Sequence, residues 1–437
     1  MSKRLHNIFW FRRDFRLKDN HGLYESLKAG NVIPIFIFDK NILDRLESKS
    51  DRRVHFIYNQ IIKLKRQIVK HGSDLKIFYG SPADVFKELL DSFKVEGVFA
   101  NRDYEPYAKE RDTEVENILK SQDVKFHTFK DHVIFEKKEV VKDDGDPYVV
   151  YTPYSKVWKE KLKETGISDF NSESELDAFA EIKSEDPLSL REIGFEESDG
   201  NWPDSEVEDE LFRKYGDRRN FPAKEGTSRL GVHLRFGTIS IRSLFKRVQK
   251  LSETYVNELI WREFYQMILW NFPKVVDHEF RDKYAGIPWR NNEAEFDAWC
   301  KGETGYPIVD AGMRELNETG YMHNRVRMIV ASFLTKHLLI DWRWGETYFA
   351  QKLLDYELAS NNGGWQWAAG CGTDAAPYFR VFNPELQKEK FDKQEEYIKM
   401  WVPEYESKDY PEPIVDHKKA RVRALDTYKK ALEAAGR

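Results

Sequence analysis

From Leu5 to about residue 135 the chain alternates between two hydrophobic periods. Short apolar runs, "NIFWF" (7–11), "VIPIFIFD" (32–39), "LKIFYG" (75–80), "GVFANRD" (97–103) and "VKFHTF" (124–129), are rich in β-branched and aromatic residues. Between them, stretches such as "RRVHFIYNQIIKLKRQIVKHG" and "SPADVFKELLDSFK" carry apolar positions at helical spacing. Strand, helix and strand joined by short turns predict a parallel sheet covered on both faces, a Rossmann-like doubly wound α/β domain over 1–135. A Gly-rich dinucleotide fingerprint is missing, which argues against an NAD site of the usual kind but leaves the carboxyl edge of the sheet open to a ligand. Residues 136–204 lose the alternation and read as an acidic, apolar-poor connector with one short helix at 155–164. From 205 to 437 the period is helical almost throughout, which predicts an all-α second domain.

Composition narrows the class. The 437 residues exceed one ordinary core, and 33% charged with 41% hydrophobic residues is a globular profile. No apolar run reaches membrane-span length, and the start, "MSKRLHNIFWF", lacks a secretory pattern. Two cysteines, Cys300 and Cys371, give no disulfide framework, and no metal-ligand spacing occurs, so no metal is expected. The formal net charge is −5, yet much of the acid lies in 172–211 while cations gather at 314–343 and 380–393. A local basic face therefore remains open. Of 12 tryptophans only Trp10, Trp158 and Trp202 precede Trp261. A bound aromatic cofactor would favour so ring-rich a second half, and core packing alone can also produce one.

Four segments carry candidate chemistry. In "YVNELIWREFYQMILW" (255–270), Glu258, Trp261, Arg262 and Tyr265 share one helix face, a mixture of acid, cation and rings that packs poorly as core. In "MHNRVRMIVASFL" (322–334), Asn324 and Met328 share a face with Arg327 beside them, while His323 is read as structural. "GTSRLG" (226–231) is a small, hydroxylated, basic loop suited to phosphate oxygens. "NNGGWQWAAG" (361–370) sets two indoles behind a glycine pair, where a flat group can approach the backbone. Together they describe a pocket for a flat, phosphate-bearing cofactor.

These segments, with "FWFRRDFRLKDN" (9–20), "TGYPIVDAGMRELNETGYMHNRVRM", "LLIDWRWGETYF" and "NNGGWQWAAGCGTDAAPYFRVFNP", resemble the photolyase/cryptochrome family over nearly the whole chain and in order, closest to class I cyclobutane pyrimidine dimer photolyases. The resemblance implies an N-terminal α/β domain, a connector and a helical FAD-binding domain. It implies that Tyr215, Thr227, Ser228, Arg229, Leu230 and Tyr255 hold the FAD phosphate end and its surroundings. Arg325, Arg327, Asp355, Glu357 and Asn361 would lie by the flavin, with Asn361 facing flavin N5 and Gly363 and Gly364 turning the chain tightly beside it. Trp365, Trp342 and Trp299 would form an electron-transfer chain to the surface. Glu258, Asn324, Met328, Trp261 and Trp367 would enclose a flipped dimer, and Arg262, Arg325 and Arg380 would meet DNA phosphates.

The implied function is light-dependent repair of cyclobutane dimers in single- or double-stranded DNA by electron donation from reduced, anionic FAD. The alternatives are a cryptochrome photoreceptor and a (6-4) photolyase. A monomer is expected, with no membrane partner, in the cytoplasm and nucleoid-associated if bacterial. Three positions depart from the family pattern. Glu357 stands for a common Asp, and Tyr321 for a common Trp as a packing ring. Tyr107 and Ala108 stand where folate-binding members carry Asn-Glu, which favours a deazaflavin or flavin antenna over folate.

Overall fold

A computed structural model describes residues 5–436, so the first four residues of the sequence-predicted α/β domain and Arg437 lie outside it. The chain divides into two compact units. Among the described residues, one comprises 5–136, 160–206 and 229–247; the other comprises 137–159, 207–228 and 248–436.

The first unit is built on five parallel strands, β1 (His6–Phe11), β2 (Val32–Asp39), β3 (Lys76–Gly80), β4 (Val95–Asn101) and β5 (Lys125–Phe129), in the order β3-β2-β1-β4-β5. Helices α1 (His21–Ala29), α2 (Arg52–Val69), α3 (Pro82–Ser92) and α4 (Pro106–Lys120) connect them. All eight residues of β2 are buried, as expected of a strand covered on both faces. Helix starts follow local chemistry: Asn20 caps α1 by accepting from Leu23 N, and Ser81 caps α3 ahead of Pro82. The "FRRDFRLKDN" segment leaves β1 as a structural knot. Arg13 donates to Asp103 at 3.0 Å, Arg16 holds both oxygens of Asp131 at 2.9 and 2.7 Å, and Asn101 donates to Asp14 at 2.6 Å.

The second unit is helical. The elements that matter for the site are α5 (Glu253–Asn271), α6 (Asn324–Ser332), a π-helical turn (Phe333–Leu338), α7 (Trp342–Lys352), α8 (Leu358–Ala369) and the terminal α9 (His417–Ala435). The core cluster to which α6, the π-helical turn, α7, α8 and α9 contribute includes Val326, Val330, Leu334, Trp342, Phe349, Trp365 and Tyr428, with Trp299 packed among them. The short helix expected at 155–164 begins at Tyr151 and runs to Thr165. Among the described residues no helix is long and apolar enough to cross a membrane.

Candidate functional site

A cavity of about 400 Å³ lies in the second unit, walled by α5, α6, α7 and α8. All four residues of the mixed α5 face line it: Glu258, Trp261, Arg262 and Tyr265. Glu258 is ion-paired with Arg219, a residue sequence reasoning missed, which also lines the cavity. Burial pushes the Glu258 carboxyl up and Arg219 opposes this. Tyr151 lies flat on Trp261, ring centroids 3.7 Å apart and planes 5° from parallel, with its hydroxyl on Asn257 O at 2.9 Å. That stack fixes the indole from behind, and nothing in the local pattern around Tyr151 announces it.

Arg262 requires a correction. Its guanidinium donates to Glu357 at 2.9 Å, in a pair whose side chains are 12% and 8% exposed. Gln266 and Ser360 complete the Glu357 shell at 3.0 and 3.1 Å. The Glu357 carboxylate thus accepts from Arg262, Gln266 and Ser360, and Arg262 is held in this buried pair rather than offered to a phosphate. Arg325 stands differently. It donates to Asn220 at 2.7 Å and lies over Phe391, while its Nε finds no protein acceptor. Burial and the nearby charges of Arg219 and Arg380 all disfavour its cation, which is a surplus of positive charge awaiting an anion. Arg380 is exposed and lies outside the cavity lining.

Asn324 and Met328 face the cavity from α6, whose first turn is capped by His323 accepting from Arg325 N at 3.1 Å. The structural reading of His323 holds. Arg327 donates to both oxygens of Asp355, at 3.1 and 3.0 Å, at the cavity edge. From there contacts lead to the small-residue loop. The Tyr321 ring lies beneath Arg327 and its hydroxyl is 3.1 Å from that of Thr227; Ser228 meets the Tyr255 hydroxyl at 2.8 Å; Tyr215 packs edge-on to Tyr255. Tyr321 therefore does more than pack, because its hydroxyl bonds where an indole has none. Arg229, at a positive φ of 52°, and the buried Leu230 continue the loop directly after Ser228.

"NNGGWQWAAG" forms no turn. It lies inside α8, which ends at Gly370 in the left-handed region. The two glycines serve different purposes. A Cβ on Gly363 would overlap the Tyr265 ring, whereas one on Gly364 would meet nothing within 4 Å and would stand in the cavity. At roughly 100° per residue the indoles of Trp365 and Trp367 leave the helix on different sides, and both line the cavity with Gly364 between them. Asn361, one turn earlier, lines it too and donates to Glu346 of α7.

Of the three relay tryptophans, Trp299 departs from expectation. Trp365 packs edge-on to Trp299, centroids 6.0 Å apart, and Gly345 of α7 leaves room for its ring. Trp299 is 0% exposed, its indole N–H held by Val330 O at 3.2 Å, so it neighbours Trp365 in the core and cannot be a surface exit. Trp342 is equally buried.

The first unit has its own cavity, of about 170 Å³, at the carboxyl ends of β1 and β2. Tyr107 donates to Asp39 there at 2.6 Å, and burial with that carboxylate pushes its phenol up to about 12. Ala108, Arg111 and Arg235 are further lining residues.

Comparison with known proteins places this geometry. The family model described as the FAD binding domain of DNA photolyase matches residues 255–408, and the one described as DNA photolyase matches 7–173. A deoxyribodipyrimidine photo-lyase of a Synechococcus species is 37% identical, over 94% of this chain and 93% of the relative. Among solved structures, a class III photolyase from Agrobacterium tumefaciens superposes with a TM-score of 0.87 at 32% identity, covering 99% of both chains. An archaeal photolyase from Sulfolobus tokodaii, with two FAD molecules, gives 0.79 at 33%, covering 97% of this chain and 100% of its own. The cavity suits FAD: Gly364 leaves open the space a side chain would fill, and the Arg327–Asp355 pair and Asn361 set polar groups in the same lining as Phe349 and Trp365. Parallel-sheet unit, helical FAD-binding unit and a relationship that extends over nearly the whole chain lead to one conclusion: this chain belongs to the DNA photolyase family.

Proposed function

We propose that the protein repairs cyclobutane pyrimidine dimers in UV-damaged DNA, single- or double-stranded, using light absorbed by bound FAD. One observation carries the reading: Glu258, Trp261, Asn324, Met328 and Trp367 share a single cavity with Arg327, Asp355, Asn361 and Gly364. The first group suits a dimer and the second a flavin, so the two are brought within reach of each other. FAD held there in its reduced, anionic form would supply light-driven one-electron chemistry with no net redox change.

The chain's own residues do the rest. A dimer must leave the base stack to enter this cavity, and its already poor stacking lowers that cost. Trp261, braced by Tyr151, and Trp367 offer flat faces to it, with Met328 as apolar fill. Asn324 offers an amide to the pyrimidine edge. Glu258 sets a carboxyl group at the pyrimidine edge, with its ion-pair partner Arg219 beside it in the same cavity, where negative charge develops on the dimer. Arg325, with an unpartnered Nε, and Arg380, exposed near it, are assigned to the lesion-strand phosphates. Among the described residues no histidine lines the cavity, which favours cyclobutane dimers over (6-4) photoproducts.

For the relay, Trp365 is the cavity-side member and Trp342 the next. The outer position belongs to Trp289, which is half-buried and whose neighbours Arg290 and Asn291 hydrogen-bond Leu339 O at 2.7 Å and Asp341 N at 2.9 Å, just before Trp342. The small cavity of the first unit is the place for a second, light-gathering chromophore.

Illumination of the purified, reduced, FAD-loaded protein with oligonucleotides carrying one defined lesion tests the function. Restoration of the cyclobutane dimer with negligible change to a matched (6-4) lesion is expected. Efficient (6-4) repair, or none of either, overturns the assignment.

A further inference from the structure

Two of the indoles that wall the cavity stand on different helices, Trp261 on α5 and Trp367 on α8. The helices meet where the Tyr265 ring packs on Gly363, one turn from each indole. That contact fixes one point, and the chain supplies another beyond the end of α8. Asp374 accepts from Tyr151 N at 3.2 Å, and the hydroxyl of the buried Thr373 donates to Val149 O at 2.7 Å. Tyr151 opens the Tyr151–Thr165 helix, whose first amides have no acceptor within the helix. A carboxylate there answers an orphan amide and the positive end of the helix at once. The ring of that same residue is the one stacked on Trp261, at 3.7 Å. Asp374 itself stands at a φ of 45°, in the left-handed region that Asn, Asp and glycine enter most readily.

We infer that Thr373 and Asp374 are positioning residues: they clamp the start of the Tyr151–Thr165 helix to the segment leaving α8, and through the Tyr151 ring they hold Trp261 in one orientation in the cavity that Trp367 shares. The inference rests on reading that cavity as the dimer site. A ring already fixed loses little freedom when it binds, whereas a loose one must be ordered first. Only a flipped dimer reaches Trp261, so the clamp acts on lesion affinity and leaves alone an undamaged duplex held by its phosphates. The same segment leads on to Arg380, six residues after Asp374. A merely structural role would therefore loosen that phosphate contact and weaken binding of both DNAs together.

The test measures the affinity of the FAD-loaded protein for an oligonucleotide with one cyclobutane dimer and for its undamaged counterpart. Asp374→Gly removes the carboxylate and suits the left-handed backbone, whereas Asp374→Asn suits it too and keeps an acceptor for Tyr151 N. In Asp374→Gly the ratio of the two affinities should fall about tenfold, the scale of one base–aromatic contact, with undamaged binding unchanged. Asp374→Asn should keep the ratio. Wild-type discrimination in the glycine variant overturns the inference, and so does equal weakening of both DNAs, which would make the segment a support for Arg380 alone. Should Asp374→Gly not fold, Thr373→Val against Thr373→Ser decides, because only serine keeps the hydroxyl. The ratio should then fall in the first and hold in the second, and equal ratios overturn the inference. A wild type that does not distinguish damaged from undamaged DNA defeats the repair reading instead, a separate result.

Discussion

Gly363 and Gly364 are adjacent and chemically identical, yet the structure gives them opposite tasks, and substitution separates them. Alanine at 363 would drive a methyl group into the Tyr265 ring. We expect a destabilisation of about 1–3 kcal/mol from overpacking, only partly offset by better helix propensity. Alanine at 364 meets open space, so the apo protein should gain up to about 1 kcal/mol while FAD affinity falls. Urea denaturation and flavin titration of both variants check the pair, and equal effects of the two substitutions would contradict the geometry. At this scale the sequence was readable for residue type and helix face: Glu258, Trp261, Arg262 and Tyr265 do share one side of α5. It was misleading for the glycine pair. Two glycines in a row resemble a turn because their helix propensity is poor, but close packing on Tyr265 and a ligand surface at 364 outweigh that local preference.

Elements were legible where one hydrophobic period ran long enough. The five apolar runs became β1–β5, and the helix expected over 255–270 spans Glu253–Asn271. What periodicity cannot carry is which distant side chains meet. Arg262 and Glu357 are 95 residues apart in sequence, Glu346 and Asn361 lie on separate helices, and Tyr151 reaches Trp261 across 110 positions, so each pairing follows from the packing of elements. The π-helical turn at Phe333–Leu338 shows such a pairing with a measurable consequence. His337, 0% exposed, shares a hydrogen bond with His417 at the start of α9 at 2.8 Å, and burial lowers it to about 3 from an ordinary 6.5. Above pH 6.5 both folded and unfolded chains hold this imidazole neutral. As pH falls from 6.5 toward 3 the unfolded chain takes up a proton that the folded chain refuses, so stability declines through that window. His337→Gln should flatten this part of the stability–pH curve while lowering stability at neutral pH only modestly. Urea denaturation from pH 4 to 8 reads both, and an unchanged acid slope would show that the imidazole is not the group responsible.

For the whole molecule, a net charge of −5 says little about a polyanionic partner, because the relevant cations are local. If Arg325 and Arg380 each neutralise a phosphate, replacing either with alanine should reduce the slope of log affinity against log salt by roughly one. Arg262→Ala should leave that slope alone and instead release Glu357, which shows as lost stability. Binding titrations on undamaged DNA at several salt concentrations distinguish the three. The division into units has a further consequence, for synthesis on the ribosome. Residues 137–159 belong with the helical unit although they precede residues 160–206 and 229–247 of the sheet unit, and one continuous helix, Tyr151–Thr165, is shared between them. Domains ordinarily fold in turn as they emerge. Here the sheet unit cannot be completed until residue 247 is out, by which time two segments of its partner are already waiting. A single cut near residue 136 should therefore split the sheet unit between two fragments while every segment of the helical unit stays in the second, and the nascent chain must hold early pieces of both units unfinished for much of translation.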